Sequence, residues 1–121
     1  LVHEVGVAQS ILDAVAARIV RPSRVREVTV RLGPFSGVDP EALQFAFSVL
    51  AGESRCSAAS LALQMPEARG DCARCGSDLP LGAPGPVCPR CGATLTAVRG
   101  DDEITLVSVA LATEETSHAG A

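Results

Sequence analysis

Four of the five cysteines lie between residues 72 and 91, in the stretch CARCGSDLPLGAPGPVCPRC. They form two Cys-x-x-Cys pairs, Cys72/Cys75 and Cys88/Cys91, with twelve residues between the pairs. Gly76 and Gly92 follow the second cysteine of each pair. A glycine there permits the tight turn in which backbone N–H groups point at the sulfurs, as in a zinc knuckle. Four thiolates satisfy a tetrahedral Zn²⁺ and leave no open position, so such a site is structural. The intervening SDLPLGAPGPV holds three prolines and little core material. A metal is therefore expected to supply the folding free energy, on the order of 10–16 kcal/mol for comparable small sites. The centre would carry a net charge of about −2, and Arg74 and Arg90 inside the two pairs are expected to offset it.

Rival readings are weaker. A redox motif needs one pair, at a helix start after a strand. Disulfides need an oxidising compartment, and five cysteines is an odd number. An iron–sulfur cluster fits the knuckle glycines less well than zinc does. Cys56 stands apart and reads as a small core or loop thiol. No basic stretch followed by an apolar one marks a signal peptide, and no apolar run is long enough to span a membrane. The expected location is cytoplasmic, where paired cysteines bind metal more often than they pair with each other.

The remaining sequence supplies a body for the lobe. EVGVAQSILDAVAARIV repeats apolar residues at helical spacing, Ala8, Ile11, Leu12, Val15 and Ile19, and Pro22 closes that helix. VREVTVRL alternates as a half-buried strand, with Val28, Val30 and Leu32 on one face. SGVDPEALQFAFSVLAG predicts a second helix, with Asp39 as N-cap, Pro40 at the first position, Leu43, Phe47 and Leu50 as its stripe and Gly52 as its stop. SLALQMP reads as a second strand. EITLVSVALA is apolar at almost every position, which predicts a strand central in its sheet. Arg-Gly-Asp occurs at 69–71 and again at 99–101. Gly70 and Gly100 are read as turns where the chain leaves and rejoins the sheet.

The fold class expected is therefore α+β: a three-stranded sheet with two helices on one face, plus an inserted zinc-ribbon lobe with two Cys-x-x-Cys knuckles. Residues 1–69 and 101–112 form the body, 70–100 the lobe, and 113–121 a tail expected to be disordered, with His118 idle in it.

The other end of the chain opens LVHEVG. The α-amine, two amide nitrogens and the imidazole of His3 can surround one ion in a plane, a geometry that suits Ni²⁺ or Cu²⁺ and not Zn²⁺. Glu4 can add a carboxylate. Taken alone, a terminal histidine is more simply a solvated one, and Glu4 a first-turn acid.

Together, the His-Glu start, a first helix containing AQSIL, SGVDPEALQFAF and two zinc knuckles between strands resemble the HypA/HybF family over nearly the whole chain, to about Ala112. The resemblance implies a nickel-insertion accessory protein for [NiFe]-hydrogenase maturation rather than an enzyme. It implies Ni²⁺ at His3 and Glu4, and structural Zn²⁺ at Cys72, Cys75, Cys88 and Cys91. It implies a GTPase partner and docking on the hydrogenase large-subunit precursor. Some members serve urease, which would add urease accessory proteins. The family begins Met-His-Glu; here His3 is preceded by Leu1-Val2, and reading Val2 as the initiator restores the pattern. Some members place a histidine directly after a Cys-x-x-Cys pair, where this chain has Gly76 and Gly92.

A zinc-ribbon scaffold or nucleic-acid module is the alternative. It calls for a basic face and stacking aromatics. The formal net charge is −4 and the only aromatics are Phe35, Phe45 and Phe47, so neither nucleic acid nor membrane is expected as a partner.

Overall fold

The computed structural model describes residues 2–52 and 54–112. The expected tail, with His118, lies outside them. By backbone proximity the described residues divide into two compact units: residues 2–30, 39–62 and 106–112, and residues 31–38 and 63–105. The segment 70–100 falls wholly within the second.

In the first unit, helix α1 (Val2–Arg18) buries Ala8, Ile11 and Val15. Strand β1 (Val25–Leu32) buries Val25, Val28, Val30 and Leu32 and leaves Glu27, Thr29 and Arg31 half-exposed. Helix α2 (Pro40–Leu50) starts as its punctuation dictates. Asp39 has extended backbone, and its Oδ1 accepts the Glu41 N–H at 3.0 Å. Leu43, Ala46 and Phe47 turn inward, and α1 packs against α2. Burying a side chain such as Leu43 or Phe47 stabilises the fold by about 1.5–3 kcal/mol. Strand β2 (Ser60–Gln64) contributes Leu61.

The last strand, β6 (Ile104–Leu111), departs from expectation. The sheet order is β2-β1-β6, so β1 is central and β6 is an edge. None of its eight residues is buried. Two apolar faces report how a strand could be covered, not which neighbours the topology supplies.

The second unit carries a sheet that the sequence did not announce. Strands β3 (Ala68–Cys72), β4 (Gly76–Leu81) and β5 (Ala97–Arg99) lie in the order β4-β3-β5, antiparallel throughout. Gly70 is not a turn but sits inside β3, opposite Leu79 and Val98. A Cβ there would stand 3.1 Å from the Ala97 carbonyl oxygen and from the Leu81 and Leu95 Cδ1 atoms, so the glycine admits close packing. Gly100 is a turn, with φ of +72°. Ala68, Cys72, Leu81, Cys88 and Leu95 form a small buried cluster, with Phe35, Leu79 and Val98 packed against it. The lobe thus holds more core material than its loop suggested.

Gly33 also serves a close approach. Its N–H donates to the Glu103 carbonyl at 2.7 Å, and a Cβ would fall 2.5 Å from the Asp101 carbonyl oxygen.

Candidate metal centre

The two knuckles are built by hairpins. Cys72 ends β3 and Cys75 precedes β4, with Gly76 at φ +127° releasing the turn. Val87 and Thr94 form an antiparallel bridge around the second pair. Inside it the Cys88 N–H donates to the Ala93 carbonyl at 2.8 Å, and the Gly92 N–H donates to the Cys88 carbonyl at 2.9 Å. Gly92 has φ of +78°, which a side chain rarely adopts.

The structure brings all four sequence-selected sulfurs together, within 4.8 Å of one another. Cys72 Sγ and Cys91 Sγ are 3.7 Å apart. A tetrahedral Zn²⁺ with bonds of about 2.3 Å sets its sulfurs roughly 3.8 Å apart, so the donor set fits that ion in number, type and spacing. Cys72 and Cys88 are buried, Cys75 is half-buried and Cys91 is exposed.

The thiols are not equivalent. N–H groups of Cys91 and Arg90 hold Cys88 down to about 6, and the Arg90 N–H lies 3.4 Å from its sulfur. The N–H groups of Cys75 and Arg74 lower Cys72 likewise. Cys75 is pushed up to about 12, first by its contact with Cys91, then by burial and by Cys88. The backbone thus favours the ionised form of Cys88 and Cys72, while Cys75 favours the proton that a metal would displace. Arg74 and Arg90 are exposed. Their main-chain N–H groups serve the sulfurs of Cys72 and Cys88, as the knuckle pattern led one to expect.

A carboxylate network stiffens β3 beside Cys72. Arg69 and Arg99 are cross-strand partners, a like-charge pairing that is unfavourable by itself. Asp78 lies between them: its Oδ1 accepts from Arg69 Nε at 3.2 Å and from Arg99 Nη2 at 3.1 Å. Arg99 also grips Asp71 with both terminal nitrogens, at 2.9 and 3.1 Å. Asp71 Oδ1 accepts the Asp78 N–H at 2.8 Å, and its carbonyl accepts the Thr96 N–H at 2.8 Å. The arginines of both Arg-Gly-Asp repeats therefore converge on one aspartate. Sequence reasoning took these repeats as boundary marks and missed Asp71, Asp78 and Arg99.

In the first unit, His3 is exposed on the opening turn of α1. Glu4 is buried, and its Oε2 accepts the Asp39 N–H at 2.8 Å. That bond is the main reason its carboxyl is held down to about 2. Glu4 thus joins the first turn of α1 to the N-cap of α2, thirty-five residues away. Cys56 is buried, and burial pushes its thiol up, as suits an inert core residue.

Known proteins resemble this chain over almost its full length. Residues 2–111 match the profile of a family described as hydrogenase/urease nickel incorporation, metallochaperone. A hydrogenase maturation factor HypA of Pelodictyon phaeoclathratiforme is 32% identical, covering 93% of this chain and 97% of its own. One from Chlorobium luteolum is 33% identical over 88% and 93%. The solution structure of the nickel metallochaperone HypA from Helicobacter pylori aligns with a TM-score of 0.61 at 23% identity, covering 89% of this chain and 96% of that one. A second HypA solution structure gives 0.64 at 22% identity over 93% and 98%. These two likenesses concern the fold: helices with three-stranded sheets and a four-cysteine lobe. With the profile spanning both the helical body and the four-cysteine lobe, the chain belongs to the HypA family of hydrogenase and urease nickel-incorporation metallochaperones.

Proposed function

We propose that the protein carries Ni²⁺ at the start of α1 for maturation of [NiFe]-hydrogenase, while a separate Zn²⁺ holds its cysteine lobe. The observation that carries the division of labour is chemical. One unit gathers four cysteine sulfurs within 4.8 Å of one another, and the other offers an exposed histidine in a helix's opening turn. N–H groups in a helix's first turn have no carbonyl partner within the helix, so nickel can take their nitrogens without breaking a helical hydrogen bond. Planar nitrogen ligation by the amine of the mature amino terminus, the amides that follow it and His3 suits Ni²⁺ and rejects Zn²⁺. Glu4 is ionised at neutral pH, the form a metal requires. Its Oε2 already accepts the Asp39 N–H, so a ligand role for Glu4 would tie the nickel site to the α2 cap.

On this reading the chain performs no reaction. It gives up its cargo to other proteins: a nucleotide-hydrolysing partner and the hydrogenase large-subunit precursor, with urease accessory proteins as further recipients. The four free thiols of the cage call for a reducing compartment, the cytoplasm. No described helix is long and apolar enough to cross a membrane.

The test is a Ni²⁺ titration of three zinc-loaded proteins: the chain itself, His3→Ala, and the chain with its amino terminus acetylated. His3→Ala is expected to lose nickel binding and to keep one zinc. Acetylation is expected to weaken nickel sharply, because an amide replaces the amine. Equal affinity in all three would remove the site from α1.

A further inference from the structure

The first unit keeps its arginines together. Arg18, Arg21, Arg24, Arg26 and Arg55 are all it has, and none forms an ion pair with a described carboxylate. Three of them bond neutral oxygens instead. Arg18 Nη2 donates to the Leu106 carbonyl at 3.2 Å, Arg55 Nη1 to the Arg21 carbonyl at 3.0 Å, and Arg24 Nη2 reaches Ser57 Oγ at 3.5 Å.

Among these cations lies a groove of about 360 Å³ between the end of α1 and β6. Ile19, Val20, Val109 and Leu111 give it apolar walls, and Arg18 and Arg21 also line it. No acidic residue among those described does. Val20 is 93% exposed. Arg24 and Arg55 stand beside the same end of the sheet: the Arg24 carbonyl accepts the Ala112 N–H at 2.9 Å, and the Arg55 carbonyl accepts the Val25 N–H at 3.0 Å. Being an edge strand without charge or proline, β6 lacks the usual devices that turn other chains away.

We propose that this groove docks an acidic segment of a partner protein, a stretch with one or two apolar residues between carboxylates. The complementarity is specific in both parts. A bare anion would leave the apolar walls wet, and a purely apolar ligand would leave the guanidinium groups without the carboxylates they pair with in a fork. The groove is about 22 Å along α1 from His3, at 1.5 Å per residue. A partner held there leaves the opening turn of α1 uncovered. The rival occupant is the chain's own end, residues 113–121, which carries Glu114 and Glu115.

The experiment is fluorescence anisotropy with a labelled ten-residue peptide of alternating glutamate and leucine, on the zinc-loaded full chain. Saturable binding that weakens with salt is expected. Arg18→Ala with Arg21→Ala should weaken it about tenfold or more, the scale of two lost charge pairs. Val20→Glu should do the same, and at so exposed a position it leaves the fold alone. Arg31→Ala, which removes a charge from the other unit, should change little. The proposal is overturned if Val20→Glu or the double variant binds as the unaltered chain does, or if Arg31→Ala weakens binding equally. It is also overturned if a glutamate–serine peptide binds as well, which would mean attraction by charge alone. A chain ending at Ala112 that binds the peptide far more tightly would assign the groove to residues 113–121.

Discussion

The two units solve one problem, staying folded, by opposite means. The first buries a larger aliphatic set, among it Val15, Val25, Val28 and Leu43, together with Phe47. The second has one small cluster, and two of its five buried members, Cys72 and Cys88, are among the four clustered thiols. Its remaining order comes from short strands and from ion pairs at positions open to solvent. Apolar burial needs no ligand and persists in any ionic medium. A thiolate cage gathers its stabilisation at one point and loses it there. A chain that handles metal ions gains from keeping the two apart, since the exchange of one ion then need not disturb the body.

Metal removal should break the comparison most visibly. Stripping zinc with a chelator, or replacing Cys88 by Ala, removes an ion worth on the order of 10 kcal/mol to small sites of this kind. Amide exchange should quicken throughout residues 68–99 and stay slow in α1 and α2. Fast exchange in both helices would mean that the body depends on the cage after all.

The converse experiment is next in size. Phe47→Ala should cost about 3–5 kcal/mol, read by denaturant unfolding of the zinc-loaded protein, while the folded fraction still holds one zinc. Loss of zinc from folded Phe47→Ala protein would contradict the separation.

Gly33→Ala asks whether the second unit also has packing limits independent of the ion. The new Cβ would collide with the Asp101 carbonyl oxygen, and overpacking of this kind costs about 1–3 kcal/mol. The loss should appear equally in zinc-loaded and zinc-free protein. A loss seen only with zinc bound would place the strain in the cage.

The smallest effect concerns pH. Asp71 is held below its ordinary 3.8 by Arg99 and by the Asp78 N–H, and Asp78 by Arg69 and then Arg99. A carboxyl lowered on folding contributes fully above its unfolded value, and the contribution disappears as pH falls through the folded one. The network should therefore act undiminished at neutral pH and fade below about 3.8. Added salt should weaken it at any pH above that. Following Arg99→Met and the unaltered chain by melting across this range checks it. An equal pH profile for the two would remove the network from the account.

Much of this was legible from local pattern. The four cysteines announce themselves by spacing and by the glycines after each pair, and Asp39-Pro40 fixes the start of α2 because capping is a contact between near neighbours. What escaped depends on distant partners. Nothing near Glu4 signals that Asp39 will receive its carboxylate. Gly70 resembles a turn glycine, because Arg-Gly-Asp gives no sign of Leu81 and Leu95 closing over it. Phe35 packs on the lobe cluster although it precedes α2 in the chain. The strand at 104–111 looks central because both its faces are apolar, while its place at the edge is set by β1 and β2.

Cys91 is the one exposed member of the cage, and this sets an order of events. A chelator, an alkylating reagent or an oxidant approaching the ion meets that sulfur before the other three. With an ion in the cage, Cys72, Cys75 and Cys88 would be the residues that still hold it when Cys91 is engaged, two of them buried. Zinc exchange would then depend on how readily one thiolate swings away, rather than on unfolding of the lobe.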